Sequence, residues 1–229
     1  MLQQKSLTFS YDDGVTQDIR LIELFNRYGM KATFNLNSDL LGQPGELIRE
    51  GKHVWHNKIA PADIRHVYEG HEIASHTRTH PFLPDMDEEA IVREVEEDRL
   101  RLSELCGYEV VGFAYPGGGI NYSSRVADII RRRTGVRYAR TTVSSHAFVE
   151  QDDLFEFHPT VYHHAEWDKL FALGEQFLAL PSGTPACMYV WGHAYELDIH
   201  GTWDRFEDFL RMMAGHKDIV YGTNREVLL

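Results

Sequence analysis

Two adjacent carboxylates, Asp12 and Asp13, follow a short β-type run, Leu7 to Tyr11, and precede Gly14. Side by side they repel, and one resists ionisation unless a cation sits beside it. Further along, His76 and His80 flank Thr77-Arg78-Thr79. One helical turn brings positions i and i+4 to the same side, so this spacing predicts two imidazoles that can grip one cation. Asp13 is the candidate third ligand. A carboxylate and two imidazoles suit Zn²⁺ and leave a fourth position for water. Asp12 is then free to take a proton from that water, which is general-base catalysis. Each piece has a plainer reading: Asp-Asp-Gly is often a solvated turn, and one HxxxH weighs little among 13 histidines.

Trp191-Gly192-His193 ends an apolar run, and His193 is a candidate acid for a leaving amine. It could equally be a satisfied histidine at the core edge. Pro116-Gly117-Gly118-Gly119 leaves backbone N–H groups without side chains in the way. Such donors can stabilise an oxyanion, although a flexible turn would look the same. His163-His164 with His158 lacks an acidic partner at ligand spacing and reads as solvated loop. Cys106 and Cys187 lie far apart, fit no metal or redox spacing, and read as buried thiols.

These residues need strands and helices to bring them together. Strands are expected at 7–11, 31–36, 71–75, 110–115, 136–140, 186–191 and 219–221. Helices are expected at 17–28, 44–50, 61–70, 87–105, 123–133, 166–179 and 203–213. Residues 144–164 read as loop. The alternation argues for a mainly parallel α/β sheet, a barrel or an open doubly wound sheet. The candidates fall just after strands, at the rim where parallel α/β folds build their sites. No repeat or linker splits the 229 residues, so one domain (1–229) is expected.

Composition narrows the partners. A formal charge of -12 repels phosphate backbones and anionic lipid, so neither nucleic acid nor membrane is expected, and no protein partner is evident. The acidic run from Asp85 to Asp98 reads as a solvated helix face. The first residues carry no apolar signal-peptide core, so the chain as given reads as cytoplasmic, although a longer secreted precursor is compatible with it.

In order and spacing, these pieces resemble the polysaccharide deacetylase family, also called the NodB-homology or carbohydrate esterase 4 family. Thr8-Phe9-Ser10-Tyr11-Asp12-Asp13-Gly14 resembles its T-F-D-D-G motif, with extra residues before the aspartates. His76-Thr77-Arg78-Thr79-His80 matches its H-[ST]-x-x-H motif. Phe113 to Gly118 resembles its third motif, and Trp191-Gly192-His193 its late L-x-H motif. The resemblance implies a distorted (β/α) barrel of about seven parallel strands. It implies Asp13, His76 and His80 as ligands to Zn²⁺ or another divalent ion such as Co²⁺, Ni²⁺ or Mn²⁺. It implies Asp12 as base, His193 as acid and the Gly117 N–H in the oxyanion hole. The substrate would be an acetylated sugar or polysaccharide, with Tyr115, Pro116 and Trp191 offered to the ring.

Three departures accompany the match. Ala114 stands where the family carries an arginine that orients the base, and Arg140 is the candidate substitute. The fourth motif, D-x-x-D-W, has only loose counterparts in Asp152-Asp153 and Trp167-Asp168. Residues 51–69 look like an insertion, whose Trp55, His56 and Asn57 could reach over the site. A pocket closed by 51–69 and 144–164 would favour a small ligand, and an open groove a polymer.

Overall fold

The structure is a computed structural model that describes residues 4–49 and 51–229. In chain order the elements are β1 (Lys5–Asp12), α1 (Asp18–Arg27), β2 (Thr33–Leu36), β3 (Glu46–Arg49), β4 (Lys52–Trp55), α2 (Ile64–Val67) and β5 (Glu72–Ser75). Next come α3 (Glu88–Val92), a π-helical turn (Arg93–Glu97), α4 (Asp98–Cys106), β6 (Gly112–Ala114), α5 (Ser124–Arg133) and β7 (Tyr138–Arg140). The series closes with β8 (Val161–Tyr162), α6 (Trp167–Ala179), β9 (Ala186–Gly192), α7 (Ala194–His200), α8 (Trp203–Met213), β10 (Ile219–Tyr221) and α9 (Asn224–Leu228).

Seven parallel strands run in the order β7-β6-β5-β2-β1-β9-β8 and curl into a half-barrel; β10 pairs with the start of β1. This is the distorted barrel expected from the motifs. Period-2 alternation gives the sheet two different faces. Leu7, Phe9 and Tyr11 of β1 join Met188 and Val190 of β9 in the large core under the helices. The intervening β1 residues, Thr8, Ser10 and Asp12, are polar and buried. They belong to a hydrogen-bonded interior. Asn224 donates to Thr8 Oγ1 at 2.8 Å and accepts from the Tyr189 hydroxyl at 2.6 Å. Glu72 accepts from Thr33 and Tyr138 at 2.8 and 2.9 Å. Buried polar groups are tolerated when paired in this way. Burial pushes the Glu72 carboxyl up, against these hydrogen bonds.

The acidic helix starts at Asp87, whose carboxylate accepts from the N–H of Ala90 at 2.8 Å, and stops at Gly107 with φ 82°. Both caps follow the expected chemistry. The π-helical turn in its middle interrupts it, and Asp98, expected on a solvated face, is fully buried.

Other expectations are corrected. Residues 46–49 form a strand, not part of a helix, because they pair antiparallel with β4 in a hairpin off the main sheet. The stretch 144–164 contains β8, too short at two residues to show a periodicity. Helices α7 and α9 lack a long apolar stripe and escape a periodicity reading. His163 is not a solvated loop residue; it is buried against Tyr11, Trp167 and Phe206. Cys106 and Cys187 are free and buried.

Candidate active site

The C-terminal ends of β1, β5, β6, β7 and β9 deliver the residues that matter. Asp13 follows β1 with φ 83°, a left-handed conformation uncommon for a residue with a Cβ. His76 follows β5, and the loop to His80 is not helical. Thr77 (φ 68°) and His80 (φ 62°) both take left-handed backbone, so a kinked loop, not a helical turn, brings the imidazoles together. The rings lie 4.9 Å apart. The His80 N–H donates to Thr77 Oγ1 at 3.1 Å, and the Asn37 amide donates to the carbonyls of His76 and Thr77 at 2.6 and 3.0 Å.

The acidic helix bolts this loop from outside. Glu94 accepts from both the N–H and the hydroxyl of Thr79 at 3.0 Å, and Glu97 pairs with Arg78. Asp98 accepts from the N–H of Ser38 at 2.7 Å, the Ser75 hydroxyl at 2.6 Å and the His76 N–H at 3.2 Å. Burial raises its carboxyl to about 7, opposed by these donors.

One ligand atom each from Asp13, His76 and His80 can be chosen so that all lie within 4.8 Å of one another. The donor set fits a divalent cation of the zinc type on two further grounds. The His76 Nδ1–H donates to the Ala114 carbonyl at 2.8 Å, which turns Nε2 toward the cluster, the outer-shell arrangement common for ligating histidines. Asp13 stays ionised: burial works against it, but His56 at 3.2 Å and the Lys58 ammonium hold its carboxyl well below the usual range. Burial also lowers His76 to about 4, leaving its ring neutral. Among the described residues no second His/Cys/Asp/Glu group has this geometry, and His158, His163 and His164 do not form one.

Asp12 lies beside the cluster. Arg140 Nη2 sits 2.6 and 2.5 Å from its two oxygens, and Asn35 donates to Oδ1 at 2.7 Å. Burial pushes the Asp12 carboxyl up, but Arg140, then His76 and His193, bring the balance below its ordinary value. Arg140 is completely buried, and its guanidinium carbon lies 4.5 Å from the centre of the Trp191 ring. The Asp12 Oδ2 is 4.0 Å from both His76 Nε2 and His193 Nε2. His193 Nδ1 lies 3.1 Å from Glu196 Oε1. Burial lowers the His193 imidazole, yet Glu196, then Asp13 and Asp12, overcome it and raise it to about 9. Glu196 is lowered to about 2: burial opposes ionisation, while His193 foremost, with His163 and the Tyr162 hydroxyl, stabilises the carboxylate.

The site opens into a cavity of about 1000 Å³. Gly117 lines it with φ 90°, and its N–H makes no hydrogen bond among the described residues. Asn121 holds this turn by donating to the carbonyls of Tyr115, Pro116 and Gly117. Neither Tyr115 nor Pro116 lines the cavity. Tyr115 is buried in the core under α3 and α5, its hydroxyl bonded to the Phe155 carbonyl at 2.8 Å. Trp191 does line it, but Tyr162 stacks on the indole at 4.3 Å and Arg140 lies over it, so the protein itself takes up its faces. Trp55 is 60 % exposed and turns away, meeting His53 edge-on; His56 lines the cavity instead.

Glu196 escaped the sequence reading. The only available signal was a carboxylate three residues after His193 at a helix start, where its side chain closes a capping box. The loose fourth-motif counterparts are elsewhere: Asp153 binds Arg131, and Asp168 binds Arg205.

A carboxylate and two imidazoles at the rim of a curled parallel barrel, with an arginine-held aspartate and a carboxylate-held histidine beside them, define a class of α/β-barrel protein built around that cluster. Residues 2–139 match the family model "Polysaccharide deacetylase", and the chain belongs to the polysaccharide deacetylase family. Solved structures share the fold. A family 4 acetyl xylan esterase from Clostridium thermocellum, in complex with a cobalt ion, is 16 % identical with TM-score 0.60, covering 97 % of this chain and 90 % of that one. A peptidoglycan N-acetylglucosamine deacetylase, Bc1960, is 15 % identical with TM-score 0.60, covering 99 % and 89 %. A family 4 pseudoenzyme from Bacillus anthracis is 14 % identical with TM-score 0.58, covering 100 % and 67 %.

Proposed function

We propose that the chain acts as one catalytic unit, a metal-dependent hydrolase that removes an acetyl group from the nitrogen of an acetylated sugar. The observation that carries this reading is that Asp12, poised for proton transfer, lies between the Asp13/His76/His80 cluster and His193. Asp13, His76 and His80 would hold Zn²⁺, or Co²⁺, Ni²⁺ or Mn²⁺. Such an ion supplies a polarised carbonyl and an acidified water.

The side chains divide the remaining work. Asp12, kept ionised by Arg140, takes the proton of the attacking water. Gly117 offers its unpaired N–H to the oxygen on which charge develops. His193, protonated at neutral pH through Glu196, gives its proton to the sugar nitrogen as the carbon–nitrogen bond breaks, leaving acetate and an amine.

The test is release of acetate from a panel of N- and O-acetylated sugars by chelated and Zn²⁺- or Co²⁺-loaded protein. Metal-dependent release from an N-acetylated sugar supports the reading. Release from O-acetyl esters alone would make it an esterase, and binding without release a carbohydrate-binding relative. A small amide as best substrate would also displace the sugar. The hairpin β3–β4 contributes Leu47 and Arg49 to the cavity, which favours a short ligand over a long polymer lying in an open groove.

A further inference from the structure

We propose that the hairpin wall of this cavity is a subsite for a carboxylate carried by the acetylated sugar, with Arg49 as the residue that sets that specificity. The proposal rests on the deacetylase reading and adds a substrate class to it.

Arg49 ends β3, lines the cavity, and has no hydrogen-bond or ion-pair partner for its guanidinium among the described residues. That sets it apart from most arginines of this acidic chain: Arg27, Arg78, Arg99, Arg131, Arg133 and Arg205 all meet carboxylates. Among the described residues, the carboxylates lining the cavity are already engaged. Asp12 is held by Arg140, Asp13 by His56 and Lys58, and Glu196 by His193 and Tyr162. Among the described residues, the unclaimed guanidinium lining the cavity is that of Arg49.

A second donor accompanies it. Tyr195 lines the cavity from α7, the helix packed on the hairpin strand β4, and its hydroxyl makes no hydrogen bond among the described residues. Arg49 lies near enough for its charge to act on that hydroxyl, and the Tyr195 ring sits 5.1 Å from His193 and 5.0 Å from His56. Both residues line the same cavity, where a carboxylate would find its counter-charge in the guanidinium, which recognises it through a fork of N–H donors. On a protein of net charge -12 an anionic sugar is otherwise repelled, so a local cation is needed to admit it.

The experiment compares 2-acetamido-2-deoxyglucuronic acid and 3-O-carboxymethyl-N-acetylglucosamine, each with its methyl ester, on Zn²⁺-loaded protein. The wild type should turn over at least one acid with kcat/KM about tenfold above its ester, as charged hydrogen bonds support. Arg49→Ala should erase that preference through KM while changing the ester by less than about twofold, and Arg49→Lys should keep part of it. Acids and esters handled alike by the wild type, or Arg49→Ala slowing both equally, would overturn the subsite. If no acetate appears from any of the four, NMR titration with the same sugars decides the subsite, and the deacetylase reading fails only if the wider panel of acetylated sugars is also silent. Tighter binding of an acid, lost in Arg49→Glu, supports it; binding indifferent to the carboxylate or to Arg49 overturns it.

Discussion

Asp12 and Asp13 are neighbours in the chain with different electrostatic surroundings. One is held by an arginine and an asparagine with His76 and His193 at 4.0 Å, the other by a lysine and His56 within the cluster it forms with His76 and His80. Removing the Arg140 guanidinium leaves Asp12 buried without its main counter-charge, so Arg140→Ala should lower kcat about 10²- to 10³-fold, the scale of losing a positioned proton-transfer group. Zn²⁺ stoichiometry should stay unchanged, because none of the three candidate ligands touches that side chain. Steady-state rates together with bound-metal analysis check both halves. Glu196→Gln carries a pH signature. With the carboxylate the imidazole of His193 titrates near 9; without it the value falls toward the ordinary histidine range near 6.5. His193 must be protonated to act as acid, so the alkaline limb of kcat/KM should move to lower pH, which a pH–rate profile reads directly. An unmoved limb would remove His193 from that role. Asp12, Asp13, His76, His80 and His193 were legible as a set because their types and order are unusual. Arg140 could be offered for the gap at Ala114 only because it ends a strand. Glu196 was hidden, since a glutamate in the first turn of a helix is commonplace.

At the scale of elements, the acidic helix carries more than its composition suggests. A run of carboxylates from 85 to 98 reads as a wet surface, yet Glu94, Glu97 and Asp98 fasten the loop that presents His76 and His80. Periodicity could not reveal this, because the π-helical turn at 93–97 shifts the face on which Asp98 falls. Asp98→Ala strands three donors in a buried place. It should cost about 2–4 kcal/mol of stability and weaken Zn²⁺ binding, measured by urea unfolding of the metal-free protein and by metal titration. Asp98→Asn should keep part of both, since the amide oxygen still accepts. The hairpin illustrates the opposite difficulty. Residues 46–49 carry no alternating pattern of their own, and only pairing with 52–55 makes them a strand.

The whole molecule is a parallel sheet whose polar interior is sealed from below by Asn224 and opens above into the cavity. Alternating strands and helices made the fold class legible, whereas the curl depends on pairings the chain order does not reveal. Because two separate segments share the candidate cluster, a bound cation should stabilise the assembly as a unit. Zn²⁺ at about 100 times its Kd adds about 2.7 kcal/mol, or roughly 5–10 °C in Tm for a domain of this size. Differential scanning fluorimetry should show that gain and its loss in Asp13→Ala. Strand β1 lies inside the sheet, paired along one edge with residues 186–192 and, at the start of its other edge, with 219–221. A ribosome therefore makes β1 long before these two partners. At about 5–20 residues per second, the nascent chain carries a bare β1 edge for about 10–40 s. A polypeptide released at residue 139, where the family match ends, would keep that edge open for good and should sediment as aggregate, while the 229-residue chain stays in the supernatant.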